Sequence, residues 1–200
     1  DMEKCFKILE CLKDEDMRTL NEFSIFSQLC GNKHPKAIEL IANKVKRDDP
    51  RVCFGLHPES ACFLADFPWY KLFANPYAID FINKYIYLFK NGGRLYNNIQ
   101  EVIPFLCINP NGLPLLYTTF YSHLRRFHIR WLCDNPNTEV LSFIKKRFGE
   151  YLNDSNDYFI GKIRHKNVFN YIKDKIYFNK MGYHFLFENQ HNIQYIKKNK

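Results

Sequence analysis

An Asn-Pro or His-Pro pair recurs along this chain, and each copy is followed by the same apolar pattern. His34-Pro35 opens HPKAIELI, His57-Pro58 opens HPESACFL, Asn75-Pro76 opens NPYAIDFI and Asn109-Pro110 opens NPNGLPLL. Asn135-Pro136 opens NPNTEVLSFI, which carries one extra residue, and two copies lack the proline: HKNVFNYI at His165 and NQHNIQYI at Asn189. Asn is a favoured helix N-cap because its side chain accepts a backbone N–H left unpaired in the first turn. Proline suits the first helical position, where its φ is already set and its missing N–H costs nothing. Seven residues after the cap stand Ile41, Leu64, Ile82, Leu116, Ile172 and Ile196, with Phe143 displaced by the insertion. Three residues before it stand Phe54, Leu72, Leu106, Leu132 and Leu186. The cap-to-cap intervals of 23, 18, 34, 26, 30 and 24 residues are those of a repeat array.

The clearest copy is WYKLFANPYAIDFINKY, Trp69 to Tyr85. Trp69, Leu72 and Phe73 form a short apolar turn before the cap. Ile79, Ile82, Tyr85, Ile86 and Phe89 fall on one helical face after it, and Tyr77 and Tyr87 fall off that face. The predicted unit is a short helix, a sharp capped corner and a longer helix. The predicted fold is all-α, an irregular α-solenoid of short helical hairpins forming one domain over residues 1–200. Residues 1–33 supply N-terminal capping helices that cover the first exposed apolar face, and residues 34–198 hold about seven repeats. Asn91-Gly92-Gly93 is the clearest turn, followed by an extra helix on Leu95, Ile99, Val102 and Ile103 that ends before Pro104. Residues 121–134, YSHLRRFHIRWLCD, read as one basic, aromatic helix.

The NP-x-AI-x-x-L pattern with a Trp or Leu shortly before it, closest at Pro35 to Ile41 and Trp69 to Ile82, resembles the helical-repeat proteins encoded by giant (nucleocytoplasmic large) DNA viruses. Residues 34–198 carry the likeness. His replaces the expected Asn at His34, His57 and His165, and the spacing is uneven. The resemblance implies a viral repeat protein, with the host cytoplasm or the virion as its place and a minor capsid component as one role. It implies no catalytic residues, because the family is defined by architecture.

Chemistry-bearing motifs are missing from the sequence. There is no phosphate-binding GxxxxGK[ST], no GxGxxG, no GxSxG elbow and no HExxH. The seven cysteines, Cys5, Cys11, Cys30, Cys53, Cys62, Cys107 and Cys133, contain no C-x-x-C and read as free thiols of a reducing, intracellular compartment. His123 and His128, five apart on the predicted helix, do not share a face, so no metal site is expected. Neither a cofactor nor an enzymatic activity is expected. No run of about 18 apolar residues offers a membrane span, and Asp1-Met2-Glu3-Lys4 begins no signal-peptide apolar segment.

The net charge of +8 is uneven. Residues 1–120 hold 14 Lys and Arg against 14 Asp and Glu, whereas residues 121–200 hold 15 against 7. Arg125, Arg126 and Arg130, interleaved with Phe127 and Trp131, and the cluster Lys145, Lys146 and Arg147 are the candidates for an acidic partner. The four-residue spacing of Phe127 and Trp131 predicts a buried stripe with the arginines in solvent. Two functional classes follow: a non-enzymatic protein-binding or structural scaffold, and a nucleic-acid-binding module acting through residues 121–200. A continuous groove lined by the six cations would favour the second.

Overall fold

A computed structural model of the chain describes residues 6–7, 22–47, 68–91, 93, 95–149, 152 and 163–173. The His57-Pro58 and Asn189 copies, with Phe54, Leu64, Leu186 and Ile196, lie outside the described residues. Among those residues every regular element is helical and none is a strand. The α-helices are α1 (Glu22–Gly31), α2 (Pro35–Arg47), α3 (Trp69–Ala74), α4 (Ile79–Lys84), α5 (Ile99–Ile108), α6 (Leu113–Thr118), α7 (Ile129–Leu132), α8 (Val140–Phe148) and α9 (Lys166–Lys173). Single 3-10 turns cover Ile86–Phe89, Tyr96–Asn98, Tyr121–His123 and Arg126–His128.

The chain divides into two compact units, residues 1–102 and 103–200, and α5 runs across the division. In the first unit α1 packs against α2 and against α3. Its core is aromatic: the Trp69 ring meets Phe73, Phe81 and Phe89, with centroids 5.2 to 6.5 Å apart. The second unit packs α7 on α8 and α8 on α9 around Leu106, Leu116, Phe120, Leu132, Phe143, Ile144 and Phe169, all buried. Leu72, Leu106 and Leu132, three residues before their corners, are wholly buried, as are Ile41, Ile82, Leu116 and Ile172 seven residues after, and the displaced Phe143.

The corners are tighter than N-capped helix starts. The residue before a proline is pushed out of the helical region, and Asn75 accordingly sits at φ −86°, ψ 120°. Its side-chain oxygen accepts the Tyr77 N–H (3.0 Å) and its main-chain oxygen accepts the Ala78 N–H (3.1 Å). This closes a turn over Pro76-Tyr77, so α4 begins at Ile79 rather than at the proline. The same pair of bonds at Asn109, to the N–H groups of Asn111 and Gly112, delays α6 to Leu113. There Pro114 falls in the first helical turn, where no intrahelical N–H is lost. At Asn135 the extra residue adds a second turn: Asn137 accepts the Glu139 N–H on its side chain and the Val140 N–H on its carbonyl. Among the described corners only His34-Pro35 places its proline at the first helical position.

Two other expectations are corrected. Helix α5 passes through Pro104 instead of stopping before it. The N–H that proline lacks would have bonded the carbonyl of Gln100, a residue on the exposed side. Residues 121–134 are not one helix. The backbone turns extended at Leu124 (ψ 129°) and Arg125 (φ −112°, ψ 159°), separating two 3-10 turns, and His128 Nδ1 accepts the Arg125 N–H (2.8 Å) to fix the break.

Candidate functional site

Four of the described corners begin with one bond: an Asn N–H donates to the carbonyl of the leucine three residues earlier. It is found at Asn32 to Leu29 (3.1 Å), Asn75 to Leu72 (2.9 Å), Asn109 to Leu106 (3.2 Å) and Asn135 to Leu132 (3.0 Å). The corner asparagine then reaches across the fold. Asn135 Nδ2 donates to the carbonyls of Cys107 (2.6 Å) and Asn109 (2.9 Å), while its Oδ1 accepts the Asn137 N–H (2.7 Å). In the first unit Asn75 Nδ2 donates to the carbonyls of Cys30 (2.9 Å) and Asn32 (2.8 Å). One carboxamide thus starts its own turn and satisfies two carbonyls at the end of an earlier helix, groups that have no intrahelical partner.

The His165 corner repeats the connection with other atoms. The Arg164 N–H donates to the Cys133 carbonyl (3.1 Å), and His165 Nε2 lies 3.1 Å from the Asn135 carbonyl, which can only accept. His34 performs the local half of the task, its Nδ1 accepting the Lys36 N–H (3.2 Å). The main-chain carbonyl that accepts from the next corner asparagine belongs to Asn32, two residues earlier. Sequence reasoning centred on the proline missed Asn32. The signal that finds it is the tetrapeptide Leu-Cys/Phe-x-Asn at 29–32, 72–75, 106–109 and 132–135, which is written twice more, at 88–91 and 186–189.

Cys30, Cys107 and Cys133 occupy the second position of that tetrapeptide and are buried, free thiols. Burial pushes the Cys30 thiol up to about 12 and drives those of Cys107 and Cys133 up as well. The thiolate is the reactive form, so these three cysteines are inert in the folded protein. No group of three or more His, Cys, Asp or Glu side chains among the described residues could hold a metal ion. Among the same residues no helix is long and apolar enough to cross a membrane. His128 is fully buried, and its ring lies 4.3 Å from Phe127 and 5.8 Å from Trp131, centroid to centroid. Burial holds it down at about pH 4, so it is neutral near pH 7.

The six candidate cations separate into two settings. On α8 consecutive side chains point about 100° apart, and each of the three meets an aromatic ring of its own fold. Lys145 lies over Tyr171 of α9 (5.0 Å) and Lys146 over Tyr117 of α6 (5.3 Å). Arg147 lies over Tyr121 (4.9 Å) and donates to the Leu124 carbonyl (3.1 Å). The Tyr117 and Tyr121 rings stack at 11°, centroids 6.5 Å apart. Arg125 is exposed, Arg126 partly buried, and the Arg130 guanidinium stacks 3.6 Å over the Trp131 ring. The expected buried stripe through Phe127 and Trp131 is one residue out of phase. Leu124, His128, Ile129 and Leu132 fill the core, while Phe127 is half exposed and Trp131 partly so.

No family model matches the chain, and neither the curated proteins nor the solved structures contain a match.

Proposed function

We propose that the chain is a non-enzymatic helical-repeat protein, an irregular α-solenoid that binds other proteins as a scaffold or structural component. The observation that carries this reading is the recurrent corner. Asn75, Asn135 and the Arg164-His165 substitute each tie their corner to carbonyls of an earlier one, which is how neighbouring repeats of a solenoid would be fastened. Such a body presents an extended face and needs no deep pocket. The exposed tyrosines Tyr70, Tyr77, Tyr87 and Tyr96 in the first unit are the residue type that interfaces favour. The likeness to giant-virus repeat proteins makes a capsid protein the first partner to test and a minor virion component the first role. The buried free thiols fit a reducing interior, of a host cell or of a particle.

Two measurements test the reading. Small-angle scattering of the monomer should give a radius of gyration clearly above the roughly 16 Å of a compact 200-residue domain, and a value at that figure would sink the solenoid. Affinity capture of the tagged chain from its native extract, with and without nuclease, should retain a stoichiometric protein after digestion. Recovery of nucleic acid alone would refute a protein scaffold.

A further inference from the structure

We infer that the turn at residues 125–128 is an acid-opened latch, held shut by the neutral ring of His128. This goes beyond the scaffold reading and does not depend on it. The backbone runs extended at Leu124 and Arg125, the Arg125 N–H donates to His128 Nδ1 (2.8 Å), and the His128 N–H donates back to the Arg125 carbonyl (2.9 Å). A ring nitrogen that accepts carries no proton, so the one proton of the neutral imidazole sits on Nε2. The ring is wholly buried, and Nε2 finds no acceptor among the described residues. A second proton has only Nδ1 to bind, where it would point at the Arg125 N–H. The closing bond and the charged ring cannot coexist.

The neighbours strengthen the effect. Arg125 itself and Arg130 of α7 act on the ring as positive charges, Arg126 lies on the same turn, and Arg147 reaches from α8 to the Leu124 carbonyl (3.1 Å). An imidazolium would be one more cation in that company, taken out of water. Burial above all, with the Arg125 and Arg130 charges, holds the ring down at about pH 4. The opening is bounded on both sides. Arg147 holds Leu124 from α8, and Ile129 and Leu132 are buried in the core. Residues 125–128 can therefore swing out while the elements beyond them stay packed. Phe127, already half exposed, gives up little burial when they do.

The test is amide hydrogen exchange of the full chain, read residue by residue by NMR between about pH 7 and pH 4 and corrected for the intrinsic rate at each pH. In the open turn the ring titrates as a free histidine, near pH 6.5. Acid therefore favours opening, and protection of the Arg125 amide should fall up to about tenfold per pH unit between about pH 6.5 and about 4. The opening exposes little surface, so urea below the unfolding transition should leave Arg125 protection unchanged. The same urea should lower protection of the Phe143 amide, which is bonded to the Glu139 carbonyl (3.2 Å) at the start of α8. His128→Asn, whose carboxamide oxygen takes the Arg125 N–H without titrating, should abolish the pH slope. Arg125 protection that ignores pH in the parent would overturn the assignment. So would a urea dependence equal to that of Phe143, which means that the turn opens only when its unit unfolds, or an unchanged slope in His128→Asn. Should that variant not fold, the pH slope and urea dependence of the parent decide alone.

Discussion

Replacing Asn135 tests the corner most directly, because one side chain holds three bonds of different kinds. Asn135→Ala removes two donations, to the carbonyls of Cys107 and Asn109, and the acceptance from Asn137 N–H. A net hydrogen bond is worth about 1 kcal/mol, and a buried carbonyl left without a partner adds about 1–3 kcal/mol. The Asn109 carbonyl keeps the Gly112 N–H, whereas the Cys107 carbonyl lies at a buried helix end. The expected loss is therefore about 4 kcal/mol, a large share of the stability of an ordinary domain. Asn135→Asp is the sharper probe. It keeps the shape and the Asn137 contact but turns oxygen lone pairs toward two carbonyls. Protonation would return one donor, so the folded-state pKa of the new acid must lie above its unfolded value. The variant should then be destabilised more at pH 7 than at pH 4, relative to the parent at the same pH. Urea unfolding followed by far-ultraviolet circular dichroism measures both quantities. An Asn135→Ala loss below about 1 kcal/mol with an unchanged urea slope, or an Asn135→Asp penalty that does not shrink in acid, would refute the bonding scheme.

Asn75→Ala, which removes the matching three bonds in the first unit, should cost a similar amount, again about 4 kcal/mol by urea titration. His128 should make the fold acid-sensitive. Its pKa is depressed in the folded state to about 4, so the unfolded chain takes up the proton first. Stability is fully present above about pH 6.5 and should fall by about 2 kcal/mol by pH 5, or less to the extent that water reaches the ring past Phe127. The fall should shrink in His128→Asn, and an identical pH profile in that variant would refute the assignment. A Cβ at Gly112 would collide with the Leu106 carbonyl and lie 2.9 Å from that leucine's Cδ1, so Gly112→Ala should lose about 1–3 kcal/mol in thermal unfolding. Cys30, Cys107 and Cys133 should resist iodoacetamide in the native protein and react in urea, as peptide mass spectrometry can read site by site; native labelling as fast as that in urea would contradict their burial.

What could be read from the sequence was the part written in side-chain type. Among the described residues, the leucines before the corners and the apolar residues seven beyond them are buried as the periodicity predicts, because burial selects residue type strongly. The bonds across the fold were harder to see. Asn135 and the Cys107 carbonyl are 28 residues apart, and a carbonyl has no letter in the sequence. The proline drew notice to His34, although Asn32 supplies the carbonyl that Asn75 holds. Phe127 and Trp131 misled for a different reason. Their spacing fits a helix, but the extended backbone at Leu124 and Arg125 resets the phase and turns Phe127 outward. Pro104 does not stop its helix, since one lost bond on an exposed side does not end a helix whose other face is buried.

The pairing of asparagine with proline also governs how this protein ages. Asparagine decays to aspartate when the nitrogen of the next residue attacks its carboxamide, and a proline nitrogen carries no hydrogen to lose in closing that ring. Asn75, Asn109 and Asn135, each followed by proline, are shielded from this reaction at the positions where an added negative charge would face two carbonyls or the end of a helix. Asn111 is exposed and followed by glycine, so it has no such shield. The proline that bends the chain therefore also preserves the amide beside it, and a repeat that keeps the asparagine but loses the proline carries a corner with a finite chemical lifetime.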